Sequence, residues 1–323
     1  MKRRTALCGL AGAAVPLFHA KRVEASEPGL LNCLVGFSAG SVPDVMARIV
    51  GRPISETMKR PLVVDNRAGV GGQLALSALK QAPADGSTIA ITPLSALSLY
   101  PSTYAKLPYD PATDFLPVCS ICVTDFAFVV GASHPAQSIQ EFVAWAKVNP
   151  GKGSIGNPGN GSSPHFAAWS FNTSTGLDLS HVAYRMPPQI AQDVVAGTLS
   201  SGMASSSLFA ELVKSGRLRV LATTGLRRSS LFPHTPTFSE AGYATVVGEE
   251  WFALLVRRGT PVATVASLAS AARSVVDLKE VQHAMSGLGV TLEVHDTAWV
   301  EERVSKESAR WRDVAQRAGF KAI

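Results

Sequence analysis

Short apolar runs alternate with stretches of helical periodicity along almost the whole chain, and this alternation narrows the fold more than any other feature. It is the pattern of βαβ units, in which buried parallel strands are joined by helices that cover the sheet. Leu31 to Phe37 reads as a first buried strand, followed by a helix from about Asp44 to Met58. That helix carries Val45, Ile49, Val50 and Ile54 on one face and should kink at Pro53. Pro61 to Asn66 reads as a second strand and Gly72 to Gln81 as a second helix. Ser87 to Thr92 is a third strand behind the Asp85-Gly86 turn. The alternation returns with helices at Ile139 to Val148, Pro164 to Thr175 and Gln189 to Gly197, and with strands at Gly153 to Gly156 and His181 to Tyr184.

Two apolar segments, Val118 to Val130 and Trp251 to Val256, lie beside Pro- and Gly-containing turns and are the best candidates for chain crossings between two α/β lobes. The predicted division is 26–126 with 249–323 for the first lobe and 127–248 for the second. The C-terminal part, with helices near Val262 to Val276 and Thr297 to Arg317, should return to the first lobe. Val300, Val304, Trp311 and Val314 recur at helical spacing as a packing face. Cys119 and Cys122 have a Cys-x-x-Cys spacing, but they sit in an apolar, strand-like run rather than at a helix start, and residues three apart in a strand point to opposite faces. With no second Cys or His pair at ligand spacing, the readings left are small core residues or a disulfide involving Cys33, and no metal or cofactor is expected.

Lys2, Arg3 and Arg4 precede an apolar run from Ala6 to Phe18 that is too short to span a membrane, which is the plan of an export signal. Small residues at Val23 and Ala25 suit cleavage before Ser26, giving a signal peptide over residues 1–25 and a periplasmic product; the Sec and Tat routes both remain open. Removing that segment takes away Lys2, Arg3, Arg4, Lys21 and Arg22 with a single acid, Glu24, so the formal charge falls from +6 to +2. The basicity is therefore mostly a targeting device, and no basic stripe with interleaved aromatics is left to bind nucleic acid. No later stretch is long and uncharged enough for a membrane-spanning helix.

Gly36-Phe37-Ser38-Ala39-Gly40 matches G-x-S-x-G between a strand and a helix, so a secreted α/β hydrolase using Ser38 is one reading. This is the first strand of the exported chain, however, and no earlier strand and loop can supply the second oxyanion donor. The same loop reads better as an anion cradle. Ser38, Ala39, Gly40 and Ser41 let a ligand approach backbone N–H groups at a helix N-terminus, where a carboxylate is favoured, and Ser41 or Asp44 can cap that helix. Gly69-Val70-Gly71-Gly72 is a second glycine-rich loop but lacks the Lys and Ser/Thr of a phosphate loop. Gly156-Asn157-Pro158-Gly159-Asn160-Gly161-Ser162-Ser163 is a third, rich in donors and placed before a helix. One such loop from each half would form the walls of a cleft.

The chain also resembles a family. Phe37-Ser-Ala-Gly-Ser-Val-Pro-Asp44, Asp65-Asn-Arg-Ala-Gly-Val-Gly-Gly72, Leu107-Pro-Tyr-Asp-Pro111, Gly159-Asn-Gly-Ser-Ser-Pro-His165, His181-Val-Ala-Tyr-Arg185, Leu218-Arg-Val-Leu-Ala-Thr223, Pro236-Thr-Phe-Ser-Glu-Ala-Gly242 and Gly259-Thr-Pro261 are similar, in order, to the signatures of the Bug receptors. These are the substrate-binding proteins of tripartite tricarboxylate transporters. The resemblance implies a type II periplasmic-binding-protein fold, two α/β lobes joined by two crossings, closing on a small organic acid that is passed to the membrane components of the transporter; a sensor kinase is the other partner to consider. It implies no enzymatic activity.

By the same resemblance, one ligand carboxylate is gripped by the first-lobe loop, here Phe37, Ser38, Ala39, Gly40, Ser41 and Asp44, and by the second-lobe loop, here Asn160, Gly161, Ser162, Ser163 and His165, often through ordered water. Thr92, Tyr184, Arg185 and Ser205 complete the implied ligand-binding set. The chain departs from the family pattern at Ser41, Ala68, Met186 and Gln189, and Ala204 stands where some members carry an acid. Ser205, Ser206 and Ser207 beside it compensate a cation poorly, so a non-amino organic acid is expected as ligand unless Asp44 turns toward the cleft.

Overall fold

A computed structural model describes residues 29–322, so the export segment expected at 1–25 lies outside the described residues. The early apolar runs form the parallel strands β1 (Leu31–Val35), β2 (Leu62–Asn66) and β3 (Thr88–Pro93), in the spatial order β2-β1-β3. They are joined through α1 (Val42–Met58) and α2 (Gln73–Gln81), the latter entered by a short turn at Val70–Gly72. Pro53 does not end α1. The helix continues to Met58 and closes on Lys59 in the left-handed region, φ 51°. Three one-turn helices follow: α3 (Ser95–Ser98), α4 (Tyr100–Thr103) and α5 (Pro111–Asp114).

β4 (Phe115–Gly131) is a single strand of 17 residues. Its first part pairs antiparallel with β9 (Glu249–Arg257), which in turn pairs antiparallel with β3. Its last part pairs antiparallel with β7 (Ser201–Ser205) and β8 (Leu218–Thr223), so β4 belongs to two strand arrays at once. The second array adds β5 (Ser154–Asn157) and β6 (Ser180–Ala183), with β6-β5-β7 parallel. Its connections are α6 (Ile139–Val148), α7 (Ser163–Thr175), α8 (Pro187–Ala196) and α9 (Ser206–Lys214). After β9 come α10 (Val262–Ser274), α11 (Lys279–Gly287), the short β10 (Thr291–Leu292) beside β4, and α12 (Thr297–Arg317).

Alternate residues of the first array feed opposite cores, as the period of a strand requires. Leu31, Cys33, Val35, Ile89 and Leu254 pack under α1 and α10, whereas Leu34, Ala90, Ala253 and Leu255 pack with α2 and the start of α12. The second array is built on aromatics: the Phe128 ring lies 4.9 Å from Phe142 and 5.2 Å from Phe171. α12 presents the expected face, with Val300 and Trp311 buried and Val304 and Val314 partly so. Val300 belongs to the first array's core, while Trp311 meets Phe166 of α7 at 5.8 Å.

The cysteines are core residues, as one reading expected, but their predicted opposite facing needs correction. The register of β4 against β9 shifts between Pro117 and Cys119 and again between Ser120 and Cys122. Such irregularities break the two-residue alternation, and Cys119 and Cys122 join Cys33 in one core cluster rather than pointing to opposite faces. All three are free, buried thiols with no disulfide among them, and burial pushes Cys33 up to about 12.

Candidate functional site

The loop between β1 and α1 is shaped by glycine. A Cβ on Gly36 would stand 2.3 Å from the Cα of Gly72, so the loops after β1 and β2 touch backbone to backbone, and the second glycine-rich loop acts as a support for the first. Ser38, Ala39 and Gly40 face solvent, and Gly40 adopts φ +79° with open space above it. Ser41 occupies the N-cap position of α1 without a side-chain bond, and its buried Oγ has no partner among the described residues. Thr92 is buried near the end of β3, opposite Ala253 of β9.

Asp44 is engaged by its own loop and helix. Its carboxylate accepts the Gly40 N–H at 2.8 Å and the Asn66 side-chain amide at 2.9 Å, and pairs with Arg48 at 2.9 Å. Asn66 also donates to the Phe37 carbonyl at 3.0 Å. The side chain is buried, and the Arg48 guanidinium beside it, helped by the two amide donors, holds its carboxyl down at about 2. Asp44 thus braces the loop through the Gly40 N–H, Asn66 and Arg48. The Ser38 carbonyl accepts from the Ser41 N–H, and among the described residues no histidine hydrogen-bonds the Ser38 hydroxyl.

The loop between β5 and α7 has the same plan with more donors. Ser162 caps α7, accepting from the His165 N–H at 3.4 Å and donating to the Gly159 carbonyl at 2.7 Å. His165 Nδ1 accepts the Gly161 N–H at 3.1 Å, so the ring is neutral, and burial pushes its pKa down to about 4. Gly161 has φ +77°, and a Cβ there would come within 3.1 Å of both Phe320 and Thr103, so this loop rests on α4 and the C-terminal segment. Asn160 is exposed. Asn157 is fully buried at the base of the loop, and its Nδ2 has no partner among the described residues. Buried unpaired donors are rare enough to need an explanation, and the two loops each hold one such group.

The remaining expected residues are more peripheral. The Tyr184 hydroxyl donates to Asp193 of α8 at 2.5 Å, Arg185 is exposed, and Ser205 Oγ lies 2.9 Å from Ser207 Oγ. Ala204, where an acid was sought, is packed in the core beside Phe209.

One acid that meets the second of these loops escaped the sequence reading. Glu250, the second residue of β9, accepts the Ser95 N–H on Oε1 at 3.2 Å and the Ser163 hydroxyl on Oε2 at 3.0 Å. Ser95 follows the β3 end and Ser163 opens α7, so one carboxylate ties the two arrays together. Burial pushes its carboxyl up to about 7. Its neighbour Glu249 accepts from the Leu226 N–H at 3.1 Å and the Trp251 indole at 3.1 Å, and pairs with Arg303 at 3.4 Å. The signal was two adjacent acids at the edge of the apolar run Trp251 to Val256.

With fold and loops in place, comparison with known proteins is decisive. The model of the tripartite tricarboxylate transporter family receptors matches residues 46–320. The chain belongs to this family. Among relatives of the receptor, BugT of Bordetella pertussis is 28% identical over 296 residues, 90% of each chain. A Pseudomonas sp. strain P51 protein named for the tcbD-tcbE intergenic region is 30% identical over 314 residues, 96% of this chain and 93% of that one. Among solved structures, Rpa4515 of R. palustris with adipate has a TM-score of 0.83 at 28% identity, covering 91% of this receptor and 99% of that chain. The periplasmic binding protein BugD has a TM-score of 0.79 at 23% identity, with coverage of 91% and 99%. The receptor therefore has the α/β fold of periplasmic binding proteins, and its family is one of solute receptors rather than enzymes, so Ser38 is not a catalytic nucleophile.

Proposed function

We propose that this receptor binds a small organic carboxylate between the Phe37–Ser41 loop and the Asn160–His165 loop in the periplasm and delivers it to the membrane components of a tripartite tricarboxylate transporter. The observation that carries the reading is the pair of donor-rich loops, each at the C-terminal end of a parallel strand and each opening a helix, α1 of 17 residues and α7 of 13. Backbone N–H groups, serine hydroxyls and the positive end of a helix are what a carboxylate needs. The adipate held by the R. palustris relative supports the ligand class. The lobes of this reading are 26–126 with 249–323, and 127–248, hinged on β4 and β9.

A thermal-shift screen against adipate, succinate, citrate, benzoate and glutamate tests it, because a ligand at 100 times its Kd adds roughly 2.7 kcal/mol to the native state. Gly40→Val should abolish the shift while the protein stays folded. Absence of any shift, combined with ester turnover that disappears in Ser38→Ala, would overturn the assignment.

A further inference from the structure

We propose that Glu250 decides how this cleft accepts a carboxylate: the ligand takes over the Ser95 N–H and Ser163 hydroxyl that Glu250 now holds, and Glu250 takes up one proton and donates it in a hydrogen bond to the ligand. The inference rests on the proposed carboxylate-binding function and adds a specificity-determining residue to it.

The geometry makes Glu250 an internal stand-in for the ligand. Its two oxygens are occupied by donors from opposite arrays, one just after β3 and the other at the first residue of α7. A carboxylate entering between those elements is the same chemical group competing for the same donors. If Glu250 stayed ionised, two carboxylates would sit side by side, with no ion pair to Glu250 among the described residues to separate them.

From α12, Glu307 faces Glu250 and adds a like charge. Two arginines of that helix are engaged elsewhere: Arg303 pairs with Glu307 at 2.7 Å and with Glu249 at 3.4 Å, and Arg310 donates to the Val247 carbonyl. From α3 comes the Ser95 hydroxyl, and from α4 the Tyr100 phenol, which burial and the Glu250 charge keep protonated. From α7 comes the Ser163 hydroxyl. Among the described residues no lysine or arginine forms an ion pair with Glu250. Two carboxyl groups in such a place share a proton, because the second ionisation is then strongly disfavoured. The carboxyl is already pushed up to about 7, so the proton is available near neutrality.

The sign of the effect follows. A ligand that raises the Glu250 pKa above its free value binds with proton uptake wherever the free carboxyl is ionised. Affinity for a fully ionised dicarboxylate therefore levels off below about pH 7 and falls by up to about tenfold per pH unit above it.

The test is calorimetric titration of the receptor and of Glu250→Gln with adipate at pH 6, 7 and 8.5, in two buffers of different ionisation enthalpy. The expected result is weaker wild-type binding at pH 8.5 than at pH 7, with uptake approaching one proton, and pH-independent binding by the variant. The proton count on the unaltered receptor decides the matter even if the variant fails to fold. Adipate binding with no proton uptake across this range overturns the inference and leaves the carboxylate function standing. Tighter binding of aspartate than of succinate at pH 8.5, lost in Glu250→Gln, also overturns it and makes Glu250 an ammonium partner. No heat with adipate, succinate or citrate at pH 6 overturns the carboxylate function itself and this inference with it.

Discussion

Replacing Asp44 with Asn removes one charge from behind the Phe37–Ser41 loop while keeping the shape of the side chain. The carboxyl is held at about 2, against an ordinary aspartate near 3.9, and each pH unit of such a difference is worth about 1.4 kcal/mol. Arg48, its ionic partner, has a side chain 52% exposed, and solvent screening there trims the effect to about 1–2 kcal/mol. Because the folded-state pKa is depressed, this stability is fully present above about pH 4 and is lost as the pH falls toward 2. Urea unfolding of both proteins at pH 7, and at steps from pH 5 to 2.5, should show Asp44→Asn weaker by about 1–2 kcal/mol at neutrality, with the gap closing in acid. A gap that does not change with pH would refute the electrostatic account, and equal stabilities at pH 7 would refute the bracing role altogether. The same variant should bind ligand more weakly, since the Gly40 N–H and the Phe37 carbonyl are both tied to the Asp44–Asn66 pair.

Gly36→Ala puts a methyl group 2.3 Å from the Gly72 Cα, where backbone rather than a flexible side chain must yield, so a loss of about 2 kcal/mol or more is expected by thermal unfolding; a neutral substitution would mean that the two loops do not touch. In the chain from Ser26 onward, Cys33, Cys119 and Cys122 should be unreactive toward a thiol reagent in the native state and react together on unfolding, and one fast native thiol would contradict their burial.

Much of the architecture was legible because the central strands are buried on both faces, the edge strands β2 and β6 only partly. Leu31–Val35, Leu62–Asn66 and Thr88–Pro93 are apolar runs of strand length, and α12 was readable to the residue because its buried positions recur at helical spacing. The short helices α3 to α5 span four residues each, too few for any period to register. The parity of Cys119 and Cys122 was lost because a register shift depends on the partner strand and leaves no mark in the sequence of β4. At the site, the loops were found through their small residues, but the direction in which Asp44 points is set by Arg48, four residues along its helix, and by Asn66, 22 residues away in sequence, and spacing alone cannot report it. Glu250 was missed because nothing in the spacing of two adjacent acids beside an apolar run reports that they pair with Thr124 and Asp125 of β4, which carries them inward.

The path of β4 and β9 has a kinetic consequence. The Ser95 N–H waits for a glutamate 155 residues further along the chain, and β3 has no partner on that side until β9 arrives. Pairings between such distant segments form slowly, because loop closure must be paid before any contact rewards it. The second array closes over a shorter span: β5, β6, β7 and β8 lie within one continuous stretch, and its ends meet where the Thr224 N–H bonds the Phe126 carbonyl at 2.9 Å, 98 residues apart. The middle of the chain should therefore consolidate first, leaving the β3 edge open until the last third of the polypeptide has been released into the folding compartment.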